Sequence, residues 1–158
     1  MNFYILIKIT DWLIMAKITL KDLSHSYLAK QNSDHDWALR DINIDWKDGG
    51  AYALLGPSGC GKTTLLNIIS GLLKPTKGEV LFDDKDMTAL NPVERDIAQI
   101  FQFPVIYDTM TVYDNLAFPL KCREFAKEKI EERVQSVSQT LNLSSFLNMP
   151  ARKLTADQ

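Results

Sequence analysis

The stretch 56–64 constrains this chain more than any other, because it reads GPSGCGKTT. Four residues separate its first glycine from the triplet Gly61-Lys62-Thr63, which is the spacing of a phosphate-binding loop. Glycines let successive backbone N–H groups turn inward around an anion, and the helix that follows adds the positive end of its dipole. We expect Lys62 to reach the outer phosphates of a nucleotide and the Thr63 hydroxyl to complete the shell of a Mg²⁺ ion.

The residues on either side of this loop predict a strand before it and a helix after it. Residues 51–55 (AYALL) are a short apolar run that follows two glycines, as expected of a buried parallel strand. Residues 62–70 carry apolar side chains at helical spacing, and Gly71 stands where a helix C-cap glycine belongs. The order strand, glycine loop, helix therefore predicts an α/β nucleotide-binding domain.

Composition excludes some classes of protein. With 158 residues, of which 46% are hydrophobic and 24% charged, the chain is typical of a globular domain. Its net charge of −2 offers no electrostatic case for a nucleic-acid partner. Cys60 and Cys122 have no disulfide-framework spacing, which favours a reducing cytosol.

The N-terminal segment 1–14 is apolar but is interrupted by Lys8 and Asp11. Its longest apolar run is far too short to span a bilayer. We interpret this segment as an appendage that precedes a natural start at Met15. A short membrane-surface anchor is the functional alternative.

Alternating apolar residues predict strands around the loop. Strands are expected to begin near Ile18 and to include Ile42–Trp46, so antiparallel strands precede the phosphate loop. A further strand at 79–82 ends in Asp83-Asp84, which imitates a metal-binding strand but has the composition of a hairpin turn. His25, with the Asp34-His35-Asp36 cluster, is expected to be solvated in loops rather than to bind metal.

The second half of the chain predicts one more strand and two helices. The apolar strand 97–101 ends at Gln102, at the kind of strand end where α/β ligand sites gather. Residues 111–118 are expected to be helical until Pro119. Residues 126–141 predict a second helix, closed by Asn142, with a core-facing stripe of Ile130, Val134, Val137 and Leu141.

The apolar run Phe103, Pro104, Val105, Ile106 and Tyr107 directly follows Gln102 in a predicted loop. Loops are mostly polar, so we interpret this run as a docking surface for a partner protein. The alternative is burial against the domain's own helices.

Taken in order, these motifs resemble the nucleotide-binding subunit of an ATP-binding-cassette (ABC) transporter from about Lys17 to Gln158. Tyr27 matches the aromatic residue that stacks on adenine, and Gln102 matches the glutamine that reaches Mg²⁺ and the attacking water. The resemblance assigns ATP binding to Tyr27, Gly56, Pro57, Ser58, Gly59, Cys60, Gly61, Lys62, Thr63 and Thr64. It implies catalytic roles for Lys62 and Gln102, and Mg²⁺ contacts for Thr63 and Gln102.

The C-terminal residues Leu154, Thr155, Ala156, Asp157 and Gln158 fall where the family has its Leu-Ser-Gly-Gly-Gln signature. In the family this loop contacts the ATP bound on the partner subunit. Asp157 replaces a glycine, and an acidic side chain is expected to weaken contact with an anion unless it points away or serves a weaker site. The family's acidic strand, catalytic glutamate and switch histidine are expected after Gln158. This chain should therefore carry the nucleotide-binding half of the domain without the hydrolytic half.

The sequences of residues 94–98 and 110–118 resemble those of the carbohydrate-importer branch, and in part those of its glycerol or glycerol-phosphate members. The resemblance implies an ATPase, with ATP and Mg²⁺ as ligands, that pairs with a second ATPase subunit and with transmembrane permease subunits at the cytoplasmic face of the inner (plasma) membrane. A non-transport ABC ATPase and another P-loop nucleotide-binding protein remain alternatives. A GTPase is disfavoured because neither its switch motif nor its base-reading motif occurs.

The fold class predicted from these residues and this resemblance is α/β. It consists of a P-loop NTPase core with an N-terminal antiparallel β subdomain and the start of an α-helical subdomain. The expected divisions are the extension 1–14, the ATP-binding core 15–102, and an incomplete helical subdomain, 103–158, that ends in the signature.

Overall fold

The computed structural model describes residues 5–7, 16–30, 33, 36–101 and 105–155. The chain divides into two compact units, Met1–Gln102 and Phe103–Gln158, and each is described by itself below. Within the described ranges, no helix combines the length and the apolar character that a membrane span requires.

The first unit contains a four-stranded antiparallel sheet, a helix and a separate pair of short strands. The sheet has the order β3-β2-β4-β5, and the short pair is β1-β6. The elements are β1 (Ile5–Ile7), β2 (Ile18–His25), β3 (Leu39–Trp46), α1 (Lys62–Ser70), β4 (Lys77–Phe82), β5 (Lys85–Asp86) and β6 (Ile97–Gln99).

The core of this unit lies between the sheet and one side of α1. Leu20 and Leu23 of β2 and Val80 of β4 are almost fully buried, and Ile68 and Ile69 of α1 pack in the same cluster. Burying a large aliphatic side chain stabilises the fold by about 1.5–3 kcal/mol. This packing fixes the helix on the sheet and so fixes where its N-terminus lies.

The predicted helix 62–70 is confirmed with the expected bounds. Gly71 adopts the left-handed conformation at φ 82°, and its N–H donates to the Ile68 carbonyl. The predicted antiparallel pairing of the first two strands is also confirmed, with Ile18 opposite Trp46 and Leu20 opposite Ile44.

The acidic pair Asp83-Asp84 forms the turn of a β-hairpin, as predicted. Phe82 pairs with Lys85 across the turn, and both aspartates have positive φ, 49° and 65°. The Asp83 carboxylate accepts the backbone N–H of Lys17 at 2.9 Å, and Asp84 lies 3.8 Å from the Lys17 ammonium. These two carboxylates therefore stabilise the sheet through their contacts with Lys17.

The predicted strand at 51–55 is wrong. The segment has no strand conformation and is mostly exposed. Its Tyr52 ring instead stacks on Trp46 of β3, with the ring centroids 5.5 Å apart. A strand exists only through hydrogen bonds to neighbouring strands, and no strand within the described ranges lies beside this run.

The predicted strand 97–101 is shorter than expected and ends at Gln99. It pairs antiparallel with Ile5–Ile7, inside the segment that was interpreted as an appendage. Three apolar residues gave no periodicity from which that pairing could be predicted.

The second unit contains two α-helices and two 3₁₀ turns. These are α2 (Val112–Cys122), α3 (Lys127–Thr140) and the turns Ser144–Phe146 and Ala151–Lys153. Helix α2 starts where predicted, but it continues through Pro119 to Cys122. The ring removes one N–H, yet Leu116 and Leu120 on either side pack against the core of this unit and hold the helix together.

The predicted stripe of α3 is half wrong. Ile130 and Val134 are buried, but Val137 is 41% exposed and Leu141 is 55% exposed. The third buried position is Ser138, which continues the four-residue spacing of Ile130 and Val134. Its hydroxyl donates to the Gln135 carbonyl, so a polar residue is satisfied in the core. Asn142 ends the segment in the left-handed region at φ 57°, as expected of a closing residue.

The start of α2 provides a stability test. The Asp114 N–H donates to the Thr111 hydroxyl at 3.0 Å, and that hydroxyl donates to the Asp114 carboxylate at 2.8 Å. We expect Thr111→Ala to lower the free energy of unfolding by about 1 kcal/mol because it leaves an N-terminal N–H without its cap. Urea denaturation measures the loss. Thr140→Ala, at an exposed position in the last turn of α3, is the matched control and should change stability by less than about 0.5 kcal/mol. Equal effects of the two substitutions would contradict the capping role.

Candidate functional site

The phosphate loop leads directly into α1, and Gly61 makes the junction. Gly61 is the N-cap of the helix in the left-handed conformation, at φ 89°. A Cβ atom there would lie 2.6 Å from the Ala38 carbonyl oxygen and 2.8 Å from a Leu39 methyl carbon. Both the backbone angle and the close approach of the chain therefore require glycine at this position.

The first turn of α1 presents backbone donors at its N-terminus. The first helical hydrogen bond runs from the Leu65 N–H to the Gly61 carbonyl at 2.9 Å. The N–H groups of Lys62, Thr63 and Thr64 therefore precede the helical ladder and point out of the helix end. This arrangement, with the positive end of the helix dipole, is suited to an anion.

The Lys62 ammonium lies over its own loop. It donates to the Gly56 carbonyl at 2.9 Å and to the Pro57 carbonyl at 2.6 Å, and it lies 3.4 Å from the Cys60 sulfur. The ammonium is thus held at the loop by uncharged acceptors. An incoming phosphate oxygen carries negative charge, so it attracts the ammonium more strongly than a carbonyl oxygen does.

Tyr27 follows the end of β2 and contacts the first turn of α1. It follows β2 by two residues, and its hydroxyl shares a hydrogen bond of 3.0 Å with the hydroxyl of Thr64 in the first turn of α1. The tyrosine is 67% exposed, so its ring is accessible for stacking. The structure therefore brings together an aromatic residue and a phosphate loop that are distant in the sequence.

His25 supports this tyrosine and is not the solvated loop residue that was expected. It is the last residue of β2, it is buried, and its ring meets the Tyr27 ring edge to face with centroids 4.8 Å apart. The expectation failed because the strand runs on past Leu23, through a register shift in its pairing with β3.

These residues form a site suited to a flat aromatic group linked to phosphates. The loop and α1 offer backbone N–H groups and one ammonium to the phosphates, and Tyr27 offers a ring face. Of the other predicted nucleotide contacts, Ser58, Gly59 and Thr63 are exposed around the loop, which leaves them accessible to such a ligand.

Several predicted site residues lie outside the described residues: Gln102, Phe103, Pro104, Ala156, Asp157 and Gln158. Of the predicted signature, Leu154 is half-buried against the core of the second unit, and its N–H donates to the Ala151 carbonyl. Thr155 is exposed.

The described part of the predicted docking surface is exposed, and not buried against the unit's own helices. Val105 is 76% exposed, and Ile106 and Tyr107 are about half exposed. Asn115 of α2 accepts the Tyr107 N–H at 2.8 Å and donates to the Tyr107 carbonyl at 3.1 Å. The Tyr107 ring also packs on Phe118, with centroids 4.7 Å apart. The loop is therefore anchored on α2 at Tyr107, while the Val105 side chain remains mostly exposed.

One buried cation of the first unit was not predicted from the sequence. Arg95 lies in the charged run Glu94-Arg95-Asp96, which is typical of a solvated surface, yet only 3% of it is exposed. Its guanidinium donates four hydrogen bonds to carbonyl oxygens, two of them at the C-terminal end of α1. Burial lowers the pKa of Arg95, and the charge of Asp86 opposes that shift.

Known proteins are similar to this chain in sequence. The family model for the ABC transporter matches residues 39–157. The chain is 43% identical over 127 residues to the trehalose/maltose import ATP-binding protein MalK of Thermococcus litoralis, which covers 77% of this chain and 34% of the relative. It is 42% identical over 144 residues to the sn-glycerol-3-phosphate import ATP-binding protein UgpC of Rhizobium meliloti, covering 91% and 40%. The chain thus spans well under half the length of these relatives.

Solved structures share the fold. One is an ATP-binding cassette in a dimeric, post-hydrolysis state bound to ADP and Pi, with a TM-score of 0.70 and 27% identity over 87% of this chain and 63% of that one. Another is a nucleotide-free ATP-binding cassette from an ABC transporter, with a TM-score of 0.67 and 26% identity over 89% and 60%. The predicted fold class and family are confirmed, and the chain belongs to the ABC transporter family.

Proposed function

We propose that this chain is the ATP-gripping part of an importer's ATPase subunit, which couples ATP binding and hydrolysis to uptake of a sugar, glycerol or a glycerol phosphate. One observation carries the proposal: Tyr27 and the phosphate loop meet at the N-terminus of α1, joined by the hydrogen bond from Tyr27 to Thr64. The class of solute is supported by the names of the relatives, which are import ATP-binding proteins for trehalose/maltose and sn-glycerol-3-phosphate.

In this proposal each residue of the site has a separate task. The adenine ring stacks on Tyr27, and the phosphates lie in the cradle formed by Gly56, Pro57, Ser58, Gly59, Cys60, Gly61 and the first turn of α1. Lys62 exchanges the Gly56 and Pro57 carbonyls for phosphate oxygens, and the Thr64 hydroxyl holds the hydroxyl of Tyr27. Thr63 and Gln102 are the residues that would hold a Mg²⁺ ion, which would neutralise part of the negative charge that develops on the phosphates.

Hydrolysis is phosphoryl transfer to water: the bond from the γ-phosphorus to the bridging oxygen breaks, and a bond to the water oxygen forms. The protein acts mainly by positioning and by charge stabilisation. We assign Lys62 to the developing charge and Gln102 to the attacking water. The signature, Leu154, Thr155, Ala156, Asp157 and Gln158, is proposed to contact ATP on a second ATPase subunit, where Asp157 weakens the contact with the anion.

The proposed partners are a second copy or homologue of this subunit and the transmembrane permease subunits. The exposed side chains of Val105, Ile106 and Tyr107 support a permease contact, together with Phe103 and Pro104 in the same apolar run. The proposed location is the cytoplasmic face of the inner membrane, where the permease would hold the subunit.

The Lys62→Ala substitution tests the nucleotide site. Removing the ammonium should abolish measurable ATP affinity without unfolding the protein, since Lys62 contacts only its own loop in the bonds described. In the parent, Mg-ATP at one hundred times its dissociation constant should stabilise the fold by about 2.7 kcal/mol. A thermal melt detects this, with Lys74→Ala, an exposed lysine beyond α1, as the control. A folded Lys62→Ala protein that binds ATP like the parent refutes the proposal.

Cys60 provides a test that needs no loss of function. Both cysteines of the chain are exposed, but only Cys60 lies in the proposed phosphate cradle, 3.4 Å from the Lys62 ammonium. Bound Mg-ATP should slow alkylation of Cys60 at least about tenfold when occupancy exceeds 90%, because only the free fraction reacts. Cys122 is the internal control and should react equally fast with and without Mg-ATP. The two rates are followed by mass spectrometry on Cys122→Ser and Cys60→Ser proteins. Equal rates at Cys60 would mean that the loop does not cradle phosphate.

Tyr107→Asp tests the proposed permease contact in the full-length protein assembled with its permease. A carboxylate placed in an apolar contact is costly to desolvate, so transport should fall more than about tenfold relative to ATP hydrolysis. Solute uptake and phosphate release are measured on the same vesicles. Val137→Asp is the matched control, since Val137 is an exposed apolar residue on α3 that is not assigned to the contact. Unchanged coupling in Tyr107→Asp would remove Tyr107 from the interface.

A further inference from the structure

We propose that Arg95 is a positioning residue of this ATPase, which fixes the segment leading to Gln102 against the C-terminal end of the phosphate-loop helix. The inference rests on the proposed function, since it assumes that Gln102 acts in ATP hydrolysis. It adds a residue that lies in none of the motifs by which the nucleotide site is identified.

On one side, the guanidinium holds the end of α1. Its Nη1 donates to the carbonyl of Ile68 at 2.7 Å and to the carbonyl of Ile69 at 2.8 Å. The last carbonyls of a helix have no partner within the helix and carry the negative end of its dipole. The Ile68 carbonyl also accepts the Gly71 N–H, so the buried guanidinium adds a second donor there and places a positive charge at the negative end of the dipole. The other end of the same helix carries the phosphate loop.

On the other side, the same guanidinium holds the chain that leads to β6. Its Nε donates to the Leu90 carbonyl at 2.9 Å, and its Nη2 donates to the Thr88 carbonyl at 3.1 Å. The backbone N–H of Arg95 also donates to the Asn91 carbonyl at 3.1 Å. One planar fork therefore joins two segments of backbone, a geometry that a single lysine ammonium does not reproduce.

Two neighbouring residues, Gly71 and Asp86, accommodate the buried Arg95 guanidinium. Gly71, the C-cap of α1, has φ 82°, and a Cβ atom on it would lie 2.7 Å from the Arg95 Nε and 3.0 Å from the Leu90 carbonyl oxygen. Asp86 opposes the cost of burial through its charge. Its carboxylate is itself held by the Thr88 N–H at 2.8 Å, and hydrogen bonds from Thr88 lower the pKa of Asp86.

Arg95 is close in sequence to Gln102, the residue assigned to the attacking water. Arg95 lies two residues before β6, and β6 ends three residues before Gln102. A second tie joins β6 to α1, because the Gln99 side-chain amide donates to the Asn67 side-chain oxygen at 3.4 Å. A displacement of about 1 Å in a water-positioning group costs up to about a hundredfold in rate. Loss of the Arg95 hydrogen bonds should therefore displace Gln102 and lower the rate of hydrolysis.

The competing explanation is that Arg95 only caps a helix and stabilises the fold. The two explanations differ in what a folded variant does. A stability role leaves the rate of a fully folded protein unchanged, whereas a positioning role lowers kcat while ATP still binds, because the core residues of α1 continue to hold the phosphate loop.

The test uses the full-length protein with Arg95→Lys, which keeps the charge, and Arg95→Met, which keeps most of the side-chain length. Nucleotide affinity, kcat and thermal melting are measured for each well below its melting temperature. We expect kcat to fall about ten- to a hundredfold in both, with the dissociation constant of ATP within about threefold of the parent. Arg40→Lys, an exposed arginine on β3, is the matched control and should leave both unchanged.

A double-mutant cycle with Gln102→Ala identifies the route. If Arg95 acts through Gln102, adding Arg95→Lys to Gln102→Ala should lower kcat by less than about twofold, although it lowers kcat strongly in the parent. Additive losses, or folded Arg95 variants with parental kcat, would overturn the inference. Failure of both Arg95 variants to fold would assign the residue to stability and also overturn it. Failure of the parent itself to bind ATP would instead refute the proposed function.

Discussion

The structure of the first unit depends on how α1 is held. Its apolar side is buried against the antiparallel sheet, where Leu65, Ile68 and Ile69 pack with residues of β2 and β4. Its C-terminal end is held by Gly71 and by the guanidinium of Arg95. A helix fixed along its side and at one end can present its other end, with the N–H groups of the first turn, in a constant position.

Lys62 remains at the loop although no ion-pair partner is among the bonds described for it. Two carbonyls of the loop share the ammonium, at 2.6 and 2.9 Å. Phosphate binding therefore exchanges two neutral acceptors for charged ones, and does not simply add a new bond. The net affinity is the difference between those two states, while the glycines keep the loop open enough for the exchange.

Local chemistry allowed part of the fold to be predicted from the sequence. The bounds of α1 follow from Gly61, Lys62 and Gly71, and the hairpin at Asp83-Asp84 follows from turn composition, since each depends on a few adjacent residues. The misses depended on distant residues. Residues 51–55 have a strand's composition but no strand beside them within the described ranges. Arg95 has the sequence surroundings of a surface residue, and only the fold shows four carbonyls converging on it.

The same division applies to the candidate site. The phosphate loop was predictable because its spacing is dictated by backbone geometry, whereas the contact of Tyr27 with Thr64 requires the path of the whole sheet. His25 was misjudged for that reason, since its burial depends on how far β2 continues. In the second unit, Asn115 is likewise unremarkable in sequence, yet it accepts from and donates to the backbone of Tyr107. A loop held in place before binding loses less conformational entropy when a partner binds, so these Asn115 hydrogen bonds would favour the docking proposed for this loop.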